Sequence, residues 1–194
     1  MRGLLAVPRL YALWQAPFVA QKVRAFRVRN DPEAIERVLD VGCGPGTNRT
    51  LFRSSAYLGI DLDPAYVAMA RARYGDHFRV GDAAALEVAD FGPVDCLFVN
   101  SLTHHLDDDA IDRLLRRTDL VRPGGRLHLI DLYLPASGIS RRLALADRGQ
   151  YPRPLAALRD HITRHWRIDV EERFWLQVAG LRLWAMVYFR AEPR

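Results

Sequence analysis

The chain has 194 residues, 49% apolar and 26% charged, which fits one globular domain and leaves little room for a second. Its two cysteines, Cys43 and Cys96, exclude a disulfide framework and a zinc-type cysteine spacing, so no metal site is expected. No apolar run approaches the roughly 20 residues of a membrane span, and Arg9 cuts the N-terminal apolar patch too short for a secretory signal, so the chain reads as cytoplasmic.

The net charge of +5 is carried almost wholly by arginine. Such a charge suits nucleic acid, an anionic membrane or an acidic substrate. It equally suits an arginine-rich, high-GC coding sequence.

Leu4–Val28 reads as one or two helices broken near Pro17. Its aromatic and basic residues could lie on a membrane surface, but such a stripe more often packs on a core. From Arg37 the pattern alternates strand and helix. Arg37–Val41 is a short apolar strand, Thr47–Ser54 a helix, and Tyr57–Ile60 a second strand ending at Asp61. Pro64–Tyr74 is helical with proline at its start, and Phe78–Val80 is a third strand. Val94–Asn100 is apolar enough for a central parallel strand. Asp107–Leu120 is a helix with acids at its positive end, Pro123-Gly124-Gly125 a turn, and Arg126–Leu134 a fifth strand.

Ala136–Pro152 is irregular, with a short helix at Arg141–Asp147. Leu155–His165 is helical. Arg167–Val178 and Arg182–Arg190 are strands joined hairpin-fashion at Ala179-Gly180. The sum predicts an α/β, Rossmann-like, doubly wound mixed sheet. It would be mostly parallel, with an antiparallel C-terminal strand pair and helices on both faces.

The first strand runs into Gly42-Cys43-Gly44-Pro45-Gly46 and then a predicted helix. Glycines there let the chain turn sharply and let a ligand approach the backbone. The third glycine comes one residue too early for a dinucleotide fingerprint, which puts Thr47 in its place. Asp61 lies 21 residues after Asp40, the offset of an acid that accepts from ribose hydroxyls. Asp82 and Ala83 follow the third strand, where an acid can accept from an exocyclic amine.

With these motifs, Val38 to Leu134 resembles the class I S-adenosylmethionine (SAM)-dependent methyltransferases. The resemblance implies that Asp40, Gly42, Cys43, Gly44 and Gly46 wrap the methionine part of SAM, and that Asn48, opening the following helix, belongs to the same cofactor-binding set. Asp61 would bind the ribose, with Leu62 against the adenine, and Asp82 and Ala83 would meet the adenine edge. Asn100 and Ser101 would line the methionyl side. The stretch Ser101–Leu106, ending His104-His105-Leu106, resembles small-molecule enzymes of the ubiquinone and menaquinone pathways. There a tyrosine near the N-terminus can cover the SAM carboxylate, a role that would fall to Tyr11.

The expected division is an N-terminal helical cap (1–36), a SAM-binding core (37–134), a connection and helix (135–165) and C-terminal antiparallel strands (166–194). His104 and His105 follow the fourth strand at the ligand-binding edge and are the candidate catalytic bases. His105, Asp131 and Tyr151 are the candidates for touching the substrate. For Asp131 a structural carboxylate at a strand end is the favoured reading over one that faces the acceptor.

The expected reaction moves the sulfonium methyl to an oxygen or carbon of a quinone-, polyketide- or lipid-like small molecule. The alternatives are an RNA or protein methyltransferase and a non-catalytic SAM-fold partner. Asn100-Ser101-Leu102-Thr103 lacks the Pro-Pro-aromatic ending of nucleic-acid amino-methylating enzymes, so nucleic acid is disfavoured. The short lid is compatible with one borrowed across a homodimer.

Overall fold

The computed structural model describes residues 18–53, 55–85, 90–147 and 149–194. Its strands in chain order are β1 (Arg37–Val41), β2 (Ala56–Asp61), β3 (Phe78–Val80), β4 (Val94–Asn100), β5 (Val121–Leu132), β6 (Trp166–Val178) and β7 (Leu181–Pro193). They form one sheet in the order β3-β2-β1-β4-β5-β7-β6. The first five run parallel, and β7 is antiparallel to both β5 and β6. This is the mixed, mostly parallel sheet expected from the sequence. The strand order reverses between β1 and β4. A crevice forms at such a switch point beyond the carboxyl ends of the strands.

Residues 18–22 are helical, and the helices that follow are α1 (Arg24–Arg29), α2 (Pro64–Tyr74), α3 (Asp108–Leu115), α4 (Ile139–Ala146) and α5 (Leu155–Thr163). Successive strand residues point to opposite faces, so each central strand feeds two cores. Leu39, Leu97 and Leu129 pack with Ile111 of α3 and with Leu158 and Ile162 of α5. Val38, Cys96 and Phe98 pack on the other face with Phe26 of α1, Val67 of α2 and Ala144 of α4. Phe26 is fully buried and meets Phe52, Phe98 and His128 edge to face. Phe18, Val23 and Phe26 of the N-terminal apolar stripe are therefore core.

Three element boundaries differ from the sequence reading, each for a local reason. The stretch after the glycine loop is a 3-10 helix, Thr47–Leu51, rather than an α-helix over Thr47–Ser54. Asn48 turns inward to Asp40, and the Thr50 hydroxyl donates back to the Thr47 carbonyl at 3.1 Å. Side chains that bond nearby backbone compete with a regular helix in this way.

The helix predicted over Asp107–Leu120 starts with Asp107 as its cap but stops at Leu115. The Trp166 indole donates to the Leu115 carbonyl at 2.7 Å, taking the acceptor that the next turn would need. A short 3-10 turn, Thr118–Leu120, follows. Pro123-Gly124-Gly125 is not a turn between elements. It is an irregularity inside β5, whose pairing with β4 shifts between Val94 and Cys96. A Cβ on Gly125 would stand 2.8 Å from the Val94 carbonyl oxygen, so only glycine allows that approach. The β6–β7 hairpin turns at Ala179 and Gly180, both with positive φ, as tight two-residue hairpins require.

Candidate functional site

The carboxyl ends of β1, β2, β3 and β4 open into one cavity of about 620 Å³. The β1 side is the glycine loop, where Gly42, Cys43 and Gly44 line the wall. Gly44 has φ +53, and a side chain there would project into open space. The loop is pinned from β2, because the Gly44 amide donates to Asp61 Oδ2 at 2.8 Å. The Asp63 amide donates to Asp61 Oδ1 at 2.9 Å. Each carboxylate oxygen keeps a further lone pair, so Asp61 is held rigid while still able to accept from a ligand.

Leu62 follows it into the cavity wall with 70% of its surface uncovered. Asp82 and Ala83 line the β3 side. Asp82 Oδ1 accepts from the Ala84 amide at 2.8 Å.

On the β4 side stand Asn100, Ser101, Leu102 and His105. Ser101 has φ +58, an uncommon conformation for a residue with a side chain. A hydrogen-bonded chain runs behind this wall. Tyr57 donates its hydroxyl to Asp40, and Asn48 Nδ2 donates to both Asp40 oxygens at 3.1 and 3.2 Å. Asn100 Nδ2 donates to Asn48 Oδ1 at 3.0 Å, and the Ser101 hydroxyl donates to Asn100 Oδ1 at 3.2 Å. Asp40 is fully buried and does not line the cavity. Burial lifts its carboxyl to about 7, against the lowering effect of the Tyr57 and Asn48 hydrogen bonds. Its place is behind the site, orienting Asn48 and Asn100.

The two histidines part company. His105 is exposed and lines the cavity, whereas His104 is buried and does not. His104 Nδ1 sits 2.5 Å from Asp131 Oδ1, and the Leu132 amide donates to the same oxygen at 2.7 Å. Asp131 Oδ2 accepts from the Thr103 amide at 2.6 Å and the Thr103 hydroxyl at 2.5 Å. Burial would raise the Asp131 carboxyl, but the charge of His104 and these hydrogen bonds outweigh it and hold it below the usual range. Asp131 thus anchors the 3-10 turn Thr103–His105 from below, and that turn presents His105.

Among the other expected residues, Gly46 and Asp131 do not line the cavity. A Cβ on Gly46 would meet Phe78 and Ala70 of the core. Tyr151 is 40% exposed and also stands outside the lining; its amide donates to the His104 carbonyl at 2.9 Å. Tyr11 lies outside the described residues.

Two residues that the sequence reading did not single out matter here. Arg153 ties the same turn from the far side. Its guanidinium donates to the Thr103 carbonyl at 2.9 Å, to the Leu106 carbonyl at 2.7 Å and to Asp108 at 2.7 Å. Lys22, ahead of α1, is half-buried in the cavity wall. Burial pulls its ammonium down to about 8, although the carboxylates of Asp131 and Asp147 act to raise it. Only the proline-bounded setting of Arg153 and the rarity of lysine in this chain could have flagged them.

Residues 38–125 match the family described as a methyltransferase domain. A trans-aconitate 2-methyltransferase of Methylobacterium nodulans is 33% identical over 80% of this chain and 62% of its own length. A ubiquinone biosynthesis O-methyltransferase of Xanthomonas axonopodis is 36% identical over 76% of this chain and 63% of its own length. The chain therefore spans about three fifths of these curated relatives. In fold it is similar to a SAM-dependent methyltransferase from Archaeoglobus fulgidus. The TM-score is 0.72 at 16% identity, covering 94% of this chain and 99% of that one. It is also similar to one from Mesorhizobium loti, with TM-score 0.69, 21% identity, and coverage of 92% and 100%.

Proposed function

We propose, for a chain that carries a SAM-dependent methyltransferase domain, that its cavity binds S-adenosylmethionine and that it methylates an oxygen or carbon of a small molecule. The observation that carries this reading is the single cavity joining the glycine loop, Asp61, Asp82 and His105 at the switch point of the sheet. The donor set fits that cofactor. Asp61 keeps lone pairs for a ribose diol, and Leu62 leaves apolar surface uncovered beside Asp82 and Ala83, where a purine needs both. Gly42, Gly44, Asn48, Asn100 and Ser101 would hold the amino-acid end.

Bound SAM supplies a methyl group already activated by its positive sulfur. The residues of the chain then have to orient the acceptor, exclude water and take up any proton it loses. Positioning of this kind is worth on the order of 7–11 kcal/mol. His105 is the candidate proton acceptor, because it alone of the two histidines faces the cavity. His104, Asp131, Thr103 and Arg153 act through it, as positioning groups.

The relatives named for trans-aconitate and for ubiquinone biosynthesis support a small-molecule acceptor. Quinone-, polyketide- and lipid-like molecules fit the same reading. The arginine charge carries less weight for nucleic acid, since Arg29, Arg79, Arg117 and Arg159 are each paired with a surface carboxylate. A methyl-transfer screen with isotope-labelled SAM against trans-aconitate, quinols, phenols, fatty acids and total RNA tests the proposal. Transfer into one of the small molecules supports it; transfer into RNA alone refutes it.

A further inference from the structure

The two faces of the sheet carry helices of opposite charge. Helices α1, α2 and α4 pack on the face that holds Val38, Cys96 and Phe98, and together they contain seven arginines and no Asp or Glu. Helices α3 and α5 pack on the other face and contain four aspartates against two arginines. Arg24, Arg27 and Arg142 of the basic face are exposed, and among the described residues none of them meets a carboxylate. Arg79, Arg117 and Arg159 elsewhere on the surface each do. An anionic surface is therefore drawn to one face of the molecule.

The apolar edge of that face is the turn of the β6–β7 hairpin. β5 ends at Leu132 opposite Met186, while β7 begins at Leu181. The hairpin thus runs five residues past the carboxyl edge of the sheet, about 17 Å. Its tip is Val178-Ala179-Gly180-Leu181, with Val178 47% and Leu181 55% exposed. Tight hairpin turns favour Gly, Asn or Asp where φ is positive, since the Cβ of other residues crowds the next carbonyl. This chain sets Ala179 at φ +48 all the same, and so keeps polar side chains out of the tip.

Ile139 and Leu145 of α4 are also exposed, with Arg142 between them on the outer side of the helix. α4 lies toward the tip, because its Ala144 shares a core cluster with Leu176, Trp184 and Met186. Ile139, Leu145, Val178 and Leu181 are half of the eight large apolar residues exposed among the described ones, so the apolar surface gathers here. The tip also stands beside the mouth of the cavity. Gln21 Nε2 donates to the Gln177 carbonyl at 3.0 Å and the Gln177 amide donates to Gln21 Oε1 at 2.9 Å. Val19 and Val23, on either side of Gln21, line the cavity.

We propose that the hairpin tip and the outer side of α4 rest on an anionic lipid bilayer, with Val178 and Leu181 at the acyl boundary and Arg142 and Arg182 among the phosphates. Exposed apolar side chains beside unpaired arginines suit a bilayer, which offers both an apolar phase and negative charge. RNA offers only the charge. The contact holds the mouth of the cavity at the lipid surface, where an apolar acceptor dissolves. It goes beyond the methyltransferase reading and does not depend on it.

Sedimentation of the full chain with vesicles tests the contact. Vesicles of equal phosphatidylglycerol and phosphatidylcholine should carry the protein down, vesicles of phosphatidylcholine alone should not, and salt should reduce the bound share. Val178→Asp combined with Leu181→Asp should weaken binding about tenfold or more, because two apolar side chains leave the acyl boundary. Arg142→Glu should weaken it at least about fivefold, the share of one arginine near an anionic surface. All three positions are exposed, so the melting temperature should not change. Leu181→Cys adds a readout without added charge. Cys43 and Cys96 are buried, so a polarity-sensitive dye labels the tip alone. Its emission should shift to the blue on anionic vesicles, and a dye on Asp76→Cys, ahead of β3 at the opposite edge of the sheet, should not respond.

A protein that stays off anionic vesicles, binds both vesicle types equally or binds with the tip dye unchanged overturns the proposal. So does binding to total RNA in place of vesicles. A dimer that the double tip variant dissolves, with vesicle binding unaffected, overturns it as well, because the tip would then serve a second copy of the chain.

Discussion

Replacing Asp131 tests whether one buried carboxylate builds the turn that presents His105. Four donors converge on it: the Thr103 amide and hydroxyl, His104 Nδ1 and the Leu132 amide. In Asp131→Asn the amide oxygen can keep the two Thr103 bonds. Its NH₂ then faces the Leu132 N–H, leaving that donor buried and unpaired. One orphaned donor costs about 1–3 kcal/mol, and the lost charge on the remaining bonds adds to it. We expect about 3 kcal/mol for Asn and about 5 for Ala, where every donor loses its partner.

Urea unfolding followed by the fluorescence of the four tryptophans measures both variants. The urea dependence should stay unchanged, since the surface exposed on unfolding is the same. The carboxyl of Asp131 is held below its ordinary value in the folded protein. Its stabilisation is therefore complete above about pH 4 and is lost as pH falls through the folded value. The advantage of the wild type over Asp131→Asn should shrink on that acid side. A cost under about 1 kcal/mol for both variants, or Asn costing more than Ala, would refute the reasoning.

Asp40 gives the opposite pH behaviour. Its folded carboxyl titrates near 7, above the unfolded value, so stability should decline as pH rises from about 4 to about 7. The full span is about 4 kcal/mol, and Asp40→Asn should flatten the profile in a series of urea titrations. Arg153→Met removes the ties to the Thr103 and Leu106 carbonyls and should cost about 2 kcal/mol, a melting-point loss of roughly 4–8 °C. An unchanged melting temperature would mean that the strap is dispensable. For the histidines, His105→Gln should lower kcat on a proton-bearing acceptor by about 100-fold or more with the melting temperature intact. His104→Gln should instead lower stability. Swapped phenotypes would contradict the assignment of roles.

The sequence carried the strand–helix alternation well, because each central strand is a short apolar run with buried faces on both sides. That Asp61, Leu62, Asp82 and His105 would share one cavity could be expected from the sequence, since each stands at or after a strand end and such ends converge on the switch point. The family resemblance puts Asp40 with the glycine loop around the methionine part of the cofactor. The pleat turns it instead into the core, where Tyr57 claims it from the neighbouring strand. The sequence order of His104 and His105 could not say which ring faces in. That depends on Asp131, 27 residues further along, reaching His104. The Leu115 helix end was hidden for the same reason, because its competing donor is Trp166 on another strand. Lys22 was legible only as a count, and its place in the wall needed the fold.

The most direct test of the account is calorimetry of S-adenosylhomocysteine binding to the wild type and to Asp61→Ala. Asp61 braces the Gly44 and Asp63 amides and is proposed to accept from the ribose. Its loss should weaken binding at least about tenfold, because a charge-assisted hydrogen bond is worth about 1.5–3 kcal/mol. Tight binding to the wild type with that loss in the variant is the predicted result. Equal affinity in the two proteins, or no binding to either, would contradict the claim that this cavity holds the cofactor.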